Sequence, residues 1–199
     1  TGLQRLNLKE VESVIDGVYA IPGGAFQSKT TLVKCVLPDR LERIEGSAFA
    51  STSLTGTLML PEGLKYVSGF GHTKITNIHF PSTLEEIGNY AFASCSSLMT
   101  EISLPSALKI IGNSSFFNSA ISGNLVIPDS VEQIYDYAFC GCRGLSGSLV
   151  IPNGVTSIRY LAFYNCGFTG TLSLPEGLVD IGGSAFCDTG FKGELNIPE

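Results

Sequence analysis

The chain is short of charge, of basic residues, of histidine and of long apolar runs, and each shortage closes off a class of function. Only 15% of its 199 residues are charged, and 12 Lys and Arg stand against 18 Asp and Glu, giving a net charge of −6. Nucleic acid rewards a basic footprint, and anionic lipid attracts basic clusters, so neither is expected as a partner. No run of 18 apolar residues occurs, so no segment reads as a membrane-inserted helix. Histidine appears twice, at His72 and His79, with no Cys or carboxylate at ligand spacing beside them, so both read as surface residues and no metal or cofactor is expected. Nucleophile elbow, P-loop, dinucleotide fingerprint and zincin signature are all missing. The chain opens at Thr1 and stops within a repeat, at Leu195 to Glu199. It therefore reads as a piece truncated from a longer protein, and the lack of a visible signal peptide carries little weight.

What is plentiful is apolar, small and punctuating. Hydrophobic residues make up 44%, with 23 Gly and 9 Pro, which points to a packed core built from many short elements. Eight of the prolines keep one register: Pro38, Pro61, Pro81, Pro105, Pro128, Pro152, Pro175 and Pro198, spaced 23, 20, 24, 23, 24, 23 and 23 apart. A second marker is Phe26, Phe49, Phe70, Phe92, Phe116, Phe139, Phe163 and Phe186, which in six units follows Pro by 11 residues. The unit from Pro61 is shorter, with Phe70 only 9 residues on.

Around these markers the apolar positions repeat. Residues three and one before Pro are apolar, as in Leu125 and Ile127 or Leu149 and Ile151, a spacing of two that marks a strand with both side chains inward. Leu or Val follows three after Pro and Ile or Val six after, and a turn of small residues then leads to Ala-Phe. One such unit cannot bury its own apolar side chains; stacked in register, each row becomes a ladder. The expectation is a leucine-rich-repeat solenoid over residues 15–199, of α/β class, with an atypical N-terminal cap at 1–14. An ordinary sandwich of evenly spaced strands does not demand Phe at a fixed offset from Pro. The short unit should interrupt backbone pairing near Gly69, Phe70 and Gly71.

The segment from Ile75 to Cys95 carries the pattern Leu-x-x-Ile-x-Phe-Pro-x-x-Leu-x-x-Ile-Gly-x-x-Ala-Phe-x-x-Cys in recognisable form. It resembles the BspA-like class of leucine-rich repeats, found mainly in bacterial surface and secreted proteins. The resemblance implies a right-handed stack of about eight turns, mostly parallel β with short helical or 3-10 turns, whose sheet is built from the strands ahead of each Pro. A second run of short strands or helical turns would carry the Leu-x-x-Ile segment. It also implies an extracellular or cell-surface location and a role in adhesion.

Six Cys invite a disulfide framework, but the register argues for free buried thiols. Cys95, Cys142 and Cys166 share one small slot three after Phe; only Cys142 and Cys166 lie in adjacent turns and could bridge. Tyr90, Tyr135, Tyr137, Tyr160 and Tyr164 cluster around the later turns, as edge packing or as a contact surface. The candidate partner-binding residues are the outward ones on the strands ahead of Pro: Met59, His79, Val126, Val150, Asn77 and Asn124. Apolar side chains there, rimmed by Asn and Ser, suit a contact surface; plain β-propensity also places Val on strands. The function expected is a non-enzymatic binding module for a protein or a surface glycan. The alternatives are a structural spacer and a carbohydrate-active enzyme using outward carboxylates such as Glu85, Glu86, Glu132 and Asp180.

Overall fold

The computed structural model describes residues 5–7, 14–15 and 18–197. The expected cap at 1–14 lies largely outside them. The chain winds as a parallel solenoid, one turn per Pro-to-Pro unit, and the continuous element is a nine-stranded sheet. Its strands are β2 (Val14–Ile15), β3 (Val18–Ile21), β5 (Arg43–Ile44), β7 (Tyr66–Val67), β9 (Glu86–Ile87), β10 (Ile110–Ile111), β12 (Gln133–Ile134), β15 (Ser157–Ile158) and β17 (Asp180–Ile181). All pairs are parallel except β2 with β3, a hairpin that starts the stack.

The strands ahead of the prolines form four separate two-stranded patches instead of the expected main sheet. These are β1 (Arg5–Asn7) with β4 (Lys34–Val36), β6 (Thr55–Met59) with β8 (Lys74–His79), β11 (Ser122–Asn124) with β13 (Gly144–Ser146), and β14 (Leu149–Val150) with β16 (Leu172–Ser173). The two runs differ in regularity. From Pro to the inward Ile or Val is always six residues, and the turn at each Pro is closed the same way, by the N–H three residues on donating to the Pro carbonyl, as Leu41 to Pro38 at 3.3 Å and Val131 to Pro128 at 3.0 Å. Ahead of Pro the unit length varies, Gly56, Gly123 and Gly147 are left-handed, and pairing there is local, with a register shift where β6 meets β8.

Among the described residues there is no helix; the Ala-Phe segments are successive turns. Each complete turn is pinned by two left-handed residues, two before and two after its Phe. Ser47 and Ser51 have φ of 60° and 58°, Ser114 and Asn118 of 52° and 50°, Tyr137 and Gly141 of 57° and 77°. That conformation aims three N–H groups at the next turn. Ser114, Phe116 and Asn118 donate to the carbonyls of Asp136, Ala138 and Cys140 at 2.9, 2.8 and 2.8 Å. These bonds form a second ladder on the far side from the Pro turns.

The core is a set of columns. The eight marker Phe rings stack nearly parallel from Phe26 to Phe186, at centroid spacings of 5.1 to 5.9 Å. Ile44, Leu64, Leu84, Ile111, Val155 and Ile158 are fully buried in the neighbouring columns. The short unit does not interrupt pairing. Phe49 and Ser51 still donate to Gly69 and Gly71, and Phe70 and His72 to Ala91 and Ala93, two bonds where other turns have three. Gly69 makes this possible: at φ +86° it lies so close to the preceding turn that a Cβ would meet the Ala48 nitrogen at 2.5 Å. In the last turn Leu195 and Ile197, expected inward, are 50% and 65% exposed, since they have a neighbouring turn on one side only.

Candidate binding face

The outward rows on the strands ahead of Pro follow from alternation. In β6, Leu58 is buried while Thr57 and Met59 face out; in β14, Leu149 is buried while Val150 faces out. Met59, Val126 and Val150 are 62%, 64% and 62% exposed, although inward Leu58, Leu125 and Ile151 beside them are buried. His79 is in register with Met59 and is exposed. Asn77 is half-buried, and its Oδ1 accepts the N–H of Ile78 at 2.8 Å, so it braces its own strand. Asn124 is exposed, in register with Ser146, its side chain lying over Gly147.

The patches divide this face. Met59, Asn77 and His79 belong to the β6–β8 pair. Val126 lies beyond the end of β11, and Val150 pairs with Ser173. The two valines therefore occupy successive turns without a ladder bond between their strands, a separation that repeat counting alone does not show.

The slot three after Phe is a polar ladder in a dry core. Thr52 and Thr73 donate Oγ1–H to the carbonyl of the Phe in their own turn, each at 2.8 Å. Cys95, Cys142 and Cys166 donate Sγ–H to the Phe carbonyl of the turn before: Phe70 at 3.3 Å, Phe116 at 3.1 Å and Phe139 at 3.1 Å. Cys142 and Cys166 are therefore free thiols with a hydrogen-bonding job, not a bridge. Burial pushes the Cys142 thiol up to about 12 and raises Cys95 and Cys166 as well. Cys187 alone of the six is exposed.

The outer row of the nine-stranded sheet is polar and tied to itself. The Arg43 guanidinium lies over the Tyr66 ring at 4.2 Å and bonds Glu45 at 2.8 Å. Burial raises the Glu86 carboxyl, with Arg43 pulling it down and Glu45 pushing it up. Glu85 bonds Lys109 at 3.2 Å. Further along, Gln133, Tyr135, Ser157 and Arg159 line a cleft of about 260 Å³. At the turn edge, Tyr137 stands edge-on to Phe117 and Tyr160 at 6.3 and 5.4 Å. Tyr90 and Tyr137 hold the left-handed position that Ser fills in other turns, an uncommon site for an aromatic. Sequence reading placed these tyrosines at the turn but missed the left-handed backbone beneath them, because the Ser, Tyr and Leu that share the position carry no common signature of it.

Among the described residues no helix is long and apolar enough to cross a membrane. Residues 19–146 and 66–192 match a family described as BspA type Leucine rich repeat region, in six copies. No curated protein matches. Among solved structures, a leucine rich cell surface protein from Faecalibacterium prausnitzii A2-165 is similar at a TM-score of 0.55 and 22% identity. That similarity covers 96% of this chain, which spans 60% of the other. The leucine-rich repeat protein TpLRR of T. pallidum is similar at a TM-score of 0.52 and 26% identity, over 90% of this chain and 69% of that one.

Proposed function

Because the chain belongs to the BspA-type leucine-rich repeat family, we propose that it is a non-enzymatic binding module that presents the strands ahead of its prolines to a protein or glycan at a cell surface. The observation that carries this reading is the exposure of Met59, Val126 and Val150 on strands whose inward residues are already well packed. These apolar groups gain nothing from the fold, and apolar groups rimmed by Asn, Ser and His suit the centre of a small interface. The surface location rests on the family and on the cell-surface protein that shares the fold.

The test is a screen of labelled chain against immobilised surface proteins and a glycan array, repeated with Val126→Asp plus Val150→Asp and with Glu132→Lys as the control. The valine pair should abolish binding and the control should not. Unchanged affinity in a folded valine variant would move the interface elsewhere. The next surface is then the aromatic edge of Phe117, Tyr137 and Tyr160, whose edge-on rings favour it. A spacer would bind nothing in the screen. An enzyme would turn over a glycan on the array.

A further inference from the structure

The broken pairing ahead of the prolines leaves a built gap between two consecutive turns. Strands β4 and β6 are the same segment of the repeat in successive turns, yet they belong to different patches. Among the described residues one backbone bond joins them, the Thr55 N–H to the Val33 carbonyl at 3.2 Å. Beyond it the strands part and enclose a cleft of about 290 Å³. Its floor is apolar, with Leu54, Leu58 and Ile75, and its walls are the facing edges of β4 and β6.

The backbone polarity of those edges follows from the bonds around them. The Leu60 N–H donates to His79 on the β8 side. Groups alternate along a strand, so Thr57 and Met59 direct their N–H and C=O into the gap. On the other wall the Val33 carbonyl already faces β6, and alternation sends the backbone of Cys35 the same way. Gly56, at φ +80°, has open space where a Cβ would stand. Exposed strand edges are templates for another strand, and here two edges face one another.

Charge decides which strand fits. Lys34 lines the β4 wall, and Lys74, on β8 one strand beyond the β6 wall, is exposed in register with Thr55. No carboxylate lines the cleft, and residues 46–61 carry no charge at all. We propose that the gap between β4 and β6 binds an extended acidic peptide segment of a partner protein. The segment inserts as a strand, pairs with Thr57 and Met59, seats alternate apolar side chains on Leu54 and Leu58, and turns its carboxylates to Lys34 and Lys74. This rests on the reading of the chain as a protein-binding module and assigns that reading a second site, distinct from the Val126 and Val150 face and meeting the first only at Met59.

The probe is the acetylated, amidated peptide Thr-Val-Glu-Val-Glu-Val-Thr, with two companions: one with Lys in place of Glu, one N-methylated at alternate residues. The whole chain is titrated by calorimetry, and amide exchange is followed by NMR. The acidic peptide should bind saturably and slow exchange at Thr57 and Met59, while the N-methylated and basic peptides should not bind. Lys34→Glu with Lys74→Glu should weaken binding about five- to tenfold at low salt, as two exposed ion pairs allow. Both lysines are exposed, so the variant should fold, and circular dichroism checks it. Absence of saturable binding overturns the proposal. Equal binding of the N-methylated peptide, or unchanged exchange at Thr57 and Met59, does so too. Val126→Asp plus Val150→Asp should leave peptide binding intact. That variant separates the two sites: screen partners kept by the folded variant condemn only the valine face, and loss of its peptide binding condemns only the gap as a separate site.

Discussion

Truncating one ring of the phenylalanine column should cost an amount set by how many rings it touches. Phe139 is fully buried and stacked on both sides, with Phe116 at 5.3 Å and 5° and Phe163 at 5.4 Å and 7°. Phe139→Ala opens a dry cavity and removes both stacked contacts, for a loss of about 3–5 kcal/mol. Phe26 is half-buried and, among the described residues, stacks on Phe49 alone, at 5.2 Å. Half the contact and less burial put Phe26→Ala at about 1.5–2.5 kcal/mol. For a domain of this size each kcal/mol lowers the melting temperature by about 2–4 °C, so at the midpoints of the two ranges the variants should separate by about 4–8 °C. Urea titration reads both, with m checked for constancy so that midpoints report stability. Equal losses would refute the reasoning, because they would mean that the stack unfolds as a unit indifferent to where a rung is damaged.

Gly69→Ala should destabilise by about 2–3 kcal/mol, since its Cβ meets backbone of the preceding turn at a left-handed φ, whereas Gly46→Ala, with nothing within 4 Å, should be nearly neutral in thermal melts. Amides of Phe70 and His72 should exchange as slowly as those of Phe92 and Ser94, because all four donate to the next turn at 2.7–2.8 Å; fast exchange confined to the short unit would contradict this. Thiol titration of the native chain should modify Cys187 promptly and reach Cys95, Cys142 and Cys166 only after unfolding. Burial raises the folded Cys142 thiol to about 12, so the unfolded chain releases that proton first; its contribution is complete below about pH 9 and is lost as pH climbs towards about 12. Cys142→Ser should accordingly flatten the alkaline fall in stability, and identical slopes would show that the thiol does not titrate in that window.

The repeat was legible because its markers sit at fixed offsets. Pro, Leu, Ile and Phe each recur once per turn, and each became a buried column or a turn. What sequence spacing did not reveal was which run of strands would pair throughout. Residues such as Leu125 and Ile127 have the stronger strand pattern, yet their run is irregular ahead of Pro, with left-handed Gly56, Gly123 and Gly147 and a register shift between β6 and β8, and pairs only in patches. The two-residue strands such as Arg43–Ile44 look too short to matter, but their offset from Pro never changes. Turn residues were legible as small and polar; their left-handed φ was not, because Ser and Tyr are no signature of it. Exposure of Met59, Val126 and Val150 followed from alternation. The gap beside β6 did not, since it depends on two adjacent turns failing to pair.

The two ladders run along the axis of the rod, and this sets how the molecule bears load. The inter-turn backbone hydrogen bonds of the two ladders, such as Glu45 to Ile21 on the sheet side and Phe163 to Ala185 on the other, join successive turns and so run along the direction in which turns stack. A pull along the rod therefore opens bonds head-on, one turn at a time, rather than shearing a row of them together. Each turn released pays out about 23 residues of chain, or roughly 75–80 Å when extended. Under tension such a rod behaves as a spring that lengthens in steps, and the short turn at Gly69, with two far-side bonds to each neighbour in place of three, is where the first step should fall.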